Sequence, residues 1–173
     1  MKKTTLLLAC LAASITSSFA QEAGDSSLGF NLNYASGSSF GIGARFQYNL
    51  TNTVRIEPEI NYYIKNDNCH FWDVGANFSY LLPVARDVTV YPLVGFGYMQ
   101  GAEIGLDYTA DPYQKIDTTF GSFQAKLGIG AEFQILSNAK LIIEPKYQFA
   151  NFDDICHDFK NQFVITAGIA LTF

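Results

Sequence analysis

Apolar and polar residues alternate along almost the whole chain after its first twenty residues. In the stretch 39–50, every second residue from Phe40 to Leu50 is apolar, and Arg45 lies among the residues between them. A period of two is typical of a strand with one apolar and one polar face, and no segment shows a convincing helical period. The alternation predicts strands near 27–35, 39–50, 54–65, 71–82, 88–100, 122–135, 140–150 and 162–173.

The predicted strands are joined by connections of two kinds. Those near 51–52, 83–87 and 137–139 are short, whereas 101–121 is long and 151–161 is intermediate. The strands have about the 9–11 residues, or slightly more, that a tilted membrane strand needs. This pattern indicates an all-β fold, namely an eight-stranded antiparallel up-and-down transmembrane β-barrel with short periplasmic turns and longer extracellular loops.

Charged residues occupy only one face of these strands. The apolar face carries no Asp, Glu, Lys or Arg in any strand interior. The opposite face carries five cations and five anions: Arg45, Arg55, Lys65, Lys126 and Lys146 against Glu57, Glu59, Asp73, Glu132 and Glu144. In a membrane barrel the apolar face would contact lipid, and the charges would pair inside the lumen because an unpaired buried charge is costly.

A soluble barrel of the lipocalin kind, with its apolar face inward, is the alternative architecture. The interior of an eight-stranded barrel is just wide enough for side chains to fill, and the aromatic residues of the apolar face would exceed that volume. Pairs of glycines lie on the polar face at Gly41/Gly43, Gly95/Gly97 and Gly128/Gly130. Glycines there make room for long Arg, Lys and Glu side chains, which favours the membrane barrel.

An internal repeat relates two parts of the chain. Residues 41–58 and 128–145 align without a gap at an offset of 87, with nine of 18 positions identical. Strands two to four therefore resemble strands six to eight, which predicts a pseudo-two-fold axis along the barrel.

The repeat also suggests how the charges pair. In an antiparallel ladder the numbers of two paired residues have a constant sum. A sum of 104 in the first copy pairs Arg45 with Glu59, and a sum of 278 in the second pairs Glu132 with Lys146. The alternative register places Glu132 opposite Glu144, and like charges disfavour it. We expect two inverted salt bridges within a lumen network of Arg45, Glu59, Glu132, Lys146, Arg55, Glu57, Glu144 and Lys126.

Two prolines fall inside predicted strands. A proline in a central strand removes a ladder hydrogen bond, and a closed barrel has no edge where this is harmless. We therefore expect a bulge or local break at Pro58 and at Pro145.

Two Cys-His pairs recur at the repeat offset, at 69–70 and 156–157. The expected compartment permits a disulfide between Cys69 and Cys156. However, their loops would lie half a circumference apart, and bonded Cα atoms must come within about 7 Å. A metal site of Cys69, His70, Cys156 and His157 is a second possibility, although adjacent Cys-His is not a usual chelating spacing. Free thiols are the third, and we expect no metal ligand overall.

The N-terminus has the features of a secretory signal. Two lysines precede the apolar stretch 6–15, and residues 18–20 (Ser-Phe-Ala) supply the small residues of a cleavage site. We predict a cleaved signal peptide over 1–20 and a barrel domain over 21–173. A lipoprotein box at 7–10 (Leu-Leu-Ala-Cys) is the alternative, with a very short apolar core before the cysteine.

Composition narrows the class of protein. The 173 residues suffice for one domain, and 49% of them are hydrophobic, which excludes a disordered chain. The formal net charge of −5 argues against nucleic acid as a partner. Beyond the N-terminus, no apolar run approaches the roughly 18 residues that a spanning helix needs.

The signal, the alternating strands, the run 90–97 (VYPLVGFG) and the terminal Phe173 resemble the small outer-membrane β-barrel family. That family includes the OmpA transmembrane domain, OmpX and the opacity proteins. The resemblance implies periplasmic termini, the outer membrane of a Gram-negative bacterium, and roles in envelope integrity, adhesion or immune evasion. It also implies that Phe173 is the signal read by the barrel-assembly machinery. The chain departs from OmpA in lacking a periplasmic peptidoglycan-binding domain, and from long-looped adhesins in its short first loop.

We therefore expect an integral outer-membrane protein with a structural or surface-interaction role and a polar, salt-bridged lumen. A small passive porin-like channel is the alternative. A barrel enzyme would need a histidine with Ser or Asp near the rim, and only His70 and His157 are available, so we expect neither catalysis nor a cofactor. The expected partners are outer-membrane lipid, the barrel-assembly machinery during insertion and an extracellular ligand of unknown identity. We expect a monomer.

Overall fold

The computed structural model describes residues 22–36, 39–64, 69–107, 114–150 and 161–173, with the backbone alone at 69, 102–107, 114–118 and 120. The predicted signal peptide, 1–20, lies outside the described residues. The strands are β1 (Ser26–Ala35), β2 (Ser39–Asn49), β3 (Val54–Ile64), β4 (Cys69–Tyr80), β5 (Leu82–Ala85), β6 (Val88–Asp107), β7 (Gln114–Leu136), β8 (Ala139–Ala150) and β9 (Asn161–Thr172). Among these residues there is no helix long and apolar enough to cross a membrane.

The strands form one closed antiparallel sheet. Apart from β4 and β5, neighbours in the chain pair with each other; in addition, β1 pairs with β9 and β4 pairs with β6. The short β5 continues β4 and pairs with β6 in the same register, so β4 and β5 together occupy one strand position. The fold is therefore an eight-stranded barrel, as the alternation predicted. We term the end that carries connections 50–53, 86–87 and 137–138 the short-turn end.

The interruption between β4 and β5 lies opposite a proline of the neighbouring strand. Pairing with β6 stops after Ser79 with Leu93 and resumes at Leu82 with Val90, so the gap faces Pro92. Because proline has no N–H, it cannot donate a ladder hydrogen bond. The strand predicted near 71–82 is present as β4, and this missing bond accounts for the break before Leu82.

The two prolines singled out in the sequence have the same effect. In the β2–β3 ladder, Pro58 and its neighbour Glu57 form no pairs. Pairing stops at Arg45 with Glu59 and resumes at Tyr48 with Ile56. The β7–β8 ladder has the equivalent gap at Pro145. Both ladders resume in an unchanged register, so the predicted local breaks are confirmed.

Strands β6 and β7 run past the described parts of their neighbours β4 and β8. They pair with each other as far as Asp107 with Gln114, whereas residues 114–123 of β7 have no pairing with the described part of β8. We term residues 104–107 and 114–123 the β6–β7 ribbon, and the end from which it projects the ribbon end. The predicted long loop over 101–121 is thus mostly strand. Bilayer thickness limits the length of the part of a strand that spans the membrane. Two strands can continue to hydrogen-bond each other outside the membrane.

The apolar face points outward. Phe46, Tyr62 and Ile169 expose 38%, 42% and 50% of their surface in the isolated chain. In contrast, Glu59 and Lys146 expose 3% and 1% and face the lumen. The inside-out arrangement predicted from the sequence is confirmed, and the lipocalin-type arrangement is excluded.

Candidate functional site: the filled lumen

Glycines on the inner wall let large side chains lie flat across it. A Cβ at Gly41 would come within 2.7 Å of Cδ1 of Tyr63. A Cβ at Gly130 would collide with the ring of Tyr91. Because the glycines carry no side chain, the lumen accommodates residues that a wall of larger residues would displace.

An arginine forms the centre of the lumen. Nη1 of Arg45 lies 2.6 Å from Oε1 of Glu144 and 3.0 Å from Oε1 of Glu57. The hydroxyl of Tyr91 donates to the same Glu144 oxygen over 2.8 Å, and Gln47 donates to Glu57 over 2.5 Å. The pair of Arg45 and Glu144 joins opposite walls of the barrel, from β2 to β8.

Two lysines extend this cluster toward the ribbon end. Nζ of Lys126 lies 2.5 Å from Glu59 and 2.9 Å from Asp73. Nζ of Lys146 lies 3.3 Å from Glu59 and 3.9 Å from Glu144, so Glu144 links both lysines to the arginine centre. All these charged side chains are at most 1% exposed, and their charges are therefore balanced by one another rather than by solvent.

A second ionic group lies toward the short-turn end. Arg55 holds Glu132 with two parallel hydrogen bonds of 3.0 and 2.8 Å, the bidentate geometry that makes such pairs strong. Lys140 lies 3.5 Å from the same carboxylate. The guanidinium of Arg55 also stands 5.8 Å from the ring centre of Tyr91, which connects the two ionic groups.

The predicted partners within the network differ from those found. Arg45 lies opposite Glu59 in the ladder, as predicted, but its ion pairs are with Glu57 and Glu144. Glu132 pairs with Arg55 and Lys140 instead of Lys146. The two predicted inverted salt bridges are therefore wrong.

The cause lies partly in the turn between β7 and β8. In this ladder the numbers of two paired residues add to 274, whereas the predicted register required 278. Lys146 therefore lies opposite Gly128. A two-residue turn at 137–138 closes this hairpin, whereas four residues, 50–53, close the equivalent hairpin of the first copy. Turn length sets hairpin register, and an even shift keeps every side chain on its face while it changes every partner.

Toward the ribbon end, an amide layer lies above the ions. Asn61 accepts from Asn31 over 2.9 Å and from Asn33 over 2.8 Å. Thr166 donates to Asn33 over 2.6 Å, and Asn61 donates to Asp73 over 3.1 Å. The layer thus joins β1, β3 and β9 and bonds directly to the ionic cluster.

An apolar cluster closes the described lumen beyond the amides, and the sequence prediction of a polar lumen missed it. We term it the apolar cap: Ala35, Tyr63, Phe71, Met99, Ala150 and Val164, all at most 6% exposed. Tyr63 and Phe71 stack with ring centres 4.4 Å apart. The alternation itself could have revealed these apolar residues, because each occupies an inward position and all except Met99 lie within three residues of a strand end.

The short-turn end remains open as a shallow cup. Its volume is about 330 Å³, and Asp25, Arg86, Thr89, Glu132 and Lys140 are among the residues that line it. The cup stops at the ionic group of Arg55, so it does not reach the apolar cap.

The cysteine and histidine predictions fall largely outside the described residues. Cys69 is the first residue of β4 and pairs with Glu103, while Cys156 and His157 are not described. The ring of His70 lies 6.2 Å from that of Tyr62. The described ranges contain no group of three or more His, Cys, Asp or Glu that could hold a metal ion. The disulfide, the free thiols and the metal site therefore stay as predictions.

At the C-terminus, Phe173 is 78% exposed, and its N–H donates to the carbonyl oxygen of Ser26.

Comparison with known proteins agrees with this architecture. The sequence model of the family described as "Outer membrane protein beta-barrel domain" matches residues 6–173. No curated protein sequence matches the chain.

Solved structures share the fold at low sequence identity. Neisserial surface protein A is 14% identical with a TM-score of 0.67, and the match covers 88% of this chain and 98% of that one. A major outer membrane protein from Thermus thermophilus is 10% identical with a TM-score of 0.69, covering 88% and 100%. Ail, the attachment invasion locus protein of Yersinia pestis, is 14% identical with a TM-score of 0.50, covering 88% and 100%.

Proposed function

The chain belongs to the family of outer-membrane β-barrel proteins, and on this premise we propose that it is a structural and surface-interaction barrel whose lumen does not conduct ions. It is an integral outer-membrane protein. The observation that carries the proposal is the pairing inside the lumen. Five cations and five anions are buried among the described residues, and each lies within ion-pair distance of an opposite charge.

The ion pairs obstruct conduction because a passing ion would have to displace charges that already neutralise each other. The experiment is single-channel recording of the purified protein in planar bilayers. We expect no ion conductance above that of protein-free membranes, with a known porin as the positive control. Reproducible unitary currents from the folded protein would overturn the closed-lumen proposal.

A passive channel is the second candidate, and two observations favour it. The cup of about 330 Å³ admits solvent from the short-turn end. In addition, the side-chain nitrogen and oxygen of Gln162 and one oxygen of Asp73 are buried without a hydrogen-bond partner in the described protein. Such atoms usually bond to internal water. The same recordings separate a channel from a closed barrel.

We also propose that the β6–β7 ribbon is the part that contacts an extracellular ligand. It belongs to the longest hairpin of the described fold and extends beyond the described parts of the neighbouring strands β4 and β8. Ail, which shares the fold, bears the name of an attachment invasion locus protein, which is consistent with a surface role.

The test is to replace residues 104–117 with an Asn-Gly turn that joins Glu103 to Thr118, since these residues pair in the ladder. We expect bacteria that display the shortened protein to bind host-cell monolayers several-fold less than bacteria with the full chain. Equal surface levels of the two proteins are the required control. Equal binding would refute the role of the ribbon.

Assembly and export roles follow from the two termini. We propose that residues 1–20 are removed on export and that the exposed ring of Phe173 is read by the barrel-assembly machinery. Changing Phe173→Ala should lower the amount of folded barrel in outer membranes without altering export to the periplasm. An unchanged yield would argue against this role of Phe173.

We propose no catalytic role. His70 is the one histidine within the described ranges, and its ring neighbours Tyr62 rather than a serine or carboxylate. Nucleophilic catalysis needs a base held beside its nucleophile, and the part of the chain that the structure describes shows no such pair at His70.

A further inference from the structure

A long apolar groove crosses the outside of the barrel. Its volume is about 850 Å³, and almost all of its lining is apolar. Small residues form the floor, among them Ala44 and Ala167, with the backbone at Gly43 and Gly168. Large side chains form the walls, and they project strongly from the sheet: Phe30 and Leu32 at 66% exposure, Ile42 at 61%, Ile60 at 54% and Ile169 at 50%.

The ladder register explains the shape of the groove. Ala44 pairs with Phe30 on one side and with Ile60 on the other, so a small side chain lies between two large ones. Ala167 likewise pairs with Leu32 and with Ile143. Strand β1 lies between the two alanines, and there the depression passes over Asn31, between the side chains of Phe30 and Leu32.

The groove runs obliquely through the region of the barrel that lies in hydrocarbon. It ends at Trp72, three residues from the start of β4 at the ribbon end, and at Leu141, two residues from the start of β8 at the short-turn end. Between them it passes six adjacent strands, which are spaced about 4.8 Å apart, so its length is roughly 24 Å. Because transmembrane strands tilt by roughly 45°, this path rises by about 17 Å along the bilayer normal, close to the depth of one leaflet of the roughly 30 Å hydrocarbon core.

We propose that this groove is a binding site for one acyl chain of a bilayer phospholipid. Its continuity with the lipid-facing surface identifies the occupant, because only hydrocarbon chains surround an outer-membrane barrel at this depth. A chain in the groove contacts a floor and two walls, whereas a chain on a ridge of the surface contacts one side. A second exterior depression, at Phe96, Ala125 and Phe149, is about half as large, at about 440 Å³. Each added carbon–carbon contact is weak, but about ten of them would give roughly a tenfold preference for the groove.

The inference rests on membrane location and not on the proposed closed lumen. A conducting barrel could hold the same lipid, and a closed barrel could lack it. The bilayer recordings can therefore contradict the closed lumen without contradicting the lipid site, and the lipid titration can contradict the lipid site without contradicting the closed lumen.

The chain carries its own probe for this site. Trp72 is the single tryptophan and lines one end of the groove. The folded protein in detergent micelles is titrated with a phospholipid whose acyl chains carry bromine, which quenches tryptophan on contact. We expect quenching that saturates near one lipid per barrel. Quenching that only rises in proportion to the lipid content of the micelle would overturn the proposal.

Variants that fill the groove provide the second arm. Ala44→Phe and Ala167→Phe should each weaken the apparent lipid affinity about tenfold, in line with the lost contacts. Ala125→Phe is the matched control, because Ala125 pairs with Phe96 and Phe149 and lines a separate depression on another part of the wall. It should leave the quenching curve unchanged. Equal affinity in all three variants would refute the site.

Two further measurements keep the test decisive. Heat-modified gel mobility shows whether each variant is folded, and phosphate analysis after detergent exchange counts the retained lipid directly. We expect about one lipid for the unaltered protein and none for Ala167→Phe. If rising protein concentration instead protects Trp72 from bromine and yields dimers, a second copy of the chain covers the groove and the proposal is wrong.

Discussion

At the scale of single residues, the lumen depends on charges that have no access to water. Arg45 contacts two carboxylates, of which Glu144 also accepts from Tyr91 and Glu57 also accepts from Gln47. Removing one member of such a group leaves the others buried and uncompensated, which costs more than the pair itself contributes.

We predict that Arg45→Met lowers the free energy of unfolding by about 3–5 kcal/mol, because Glu57 and Glu144 lose their shared cation. Urea unfolding from phospholipid vesicles, followed by the fluorescence of Trp72, measures the change. Lys140→Met is the comparison and should cost less, since its ion pair is longer at 3.5 Å and borders the open cup.

A double variant tests the mechanism of this loss. Arg45→Met combined with Glu144→Gln removes one of the stranded charges and should recover part of the stability lost in the single variant. If the double variant is no more stable than Arg45→Met, uncompensated charge is not the cause of the loss.

At the scale of elements, prolines and turns decide where the ladder is continuous and how the strands align. Pro58, Pro92 and Pro145 each coincide with a gap in one ladder, and pairing resumes in register beyond it. The two-residue turn at 137–138, together with the register shift between Gln134 and Leu136, sets the β7–β8 register. The β6–β7 ribbon extends past the wall and contributes to no other described ladder beyond Glu103 and Gln124.

We predict that replacing residues 104–117 with an Asn-Gly turn changes the unfolding free energy by less than about 1 kcal/mol. Among the described residues the ribbon pairs only with itself, so its loss leaves the described barrel ladders intact, and the new turn suits a hairpin. Urea unfolding in the same vesicles is the measurement. A loss of several kcal/mol would mean that the ribbon supports the barrel and is not a separable surface element.

At the scale of the whole molecule, the lumen has two barriers in series. The ionic and amide layers fill its middle, and the apolar cap of Ala35, Tyr63, Phe71, Met99, Ala150 and Val164 closes the described lumen toward the ribbon end. An ion would have to pass both, and an apolar constriction resists ions for a different reason than paired charges do.

We predict that Tyr63→Ala combined with Phe71→Ala leaves the barrel non-conducting, since the ionic layer remains. Adding Arg45→Ala and Glu144→Ala to the same protein should produce unitary currents in planar bilayers. Folding of each variant is checked by heat-modified gel mobility. Currents from the first variant alone would show that the apolar cap is the only effective barrier.

The sequence by itself determined the fold class and which face of each strand meets lipid. A period of two, with Arg45 and Glu59 on one face and Phe46 and Tyr62 on the other, has one favourable solution when all strands close into a narrow barrel. Pro58 and Pro145 also marked their ladder breaks in advance, because a missing N–H is a property of the residue alone.

Only the tertiary structure decided which charges meet. Arg45 pairs with Glu144 across the lumen, 99 positions away in the chain, and no local spacing encodes that contact. The closure of the barrel brings opposite walls within reach of long side chains, and a two-residue turn shifts the β7–β8 register so that Glu132 pairs with Arg55. The alternation of residues determines which face of the strand a side chain occupies. Its ion-pair partner depends on the strand register and on the distance across the lumen, and both are set only when the sheet closes.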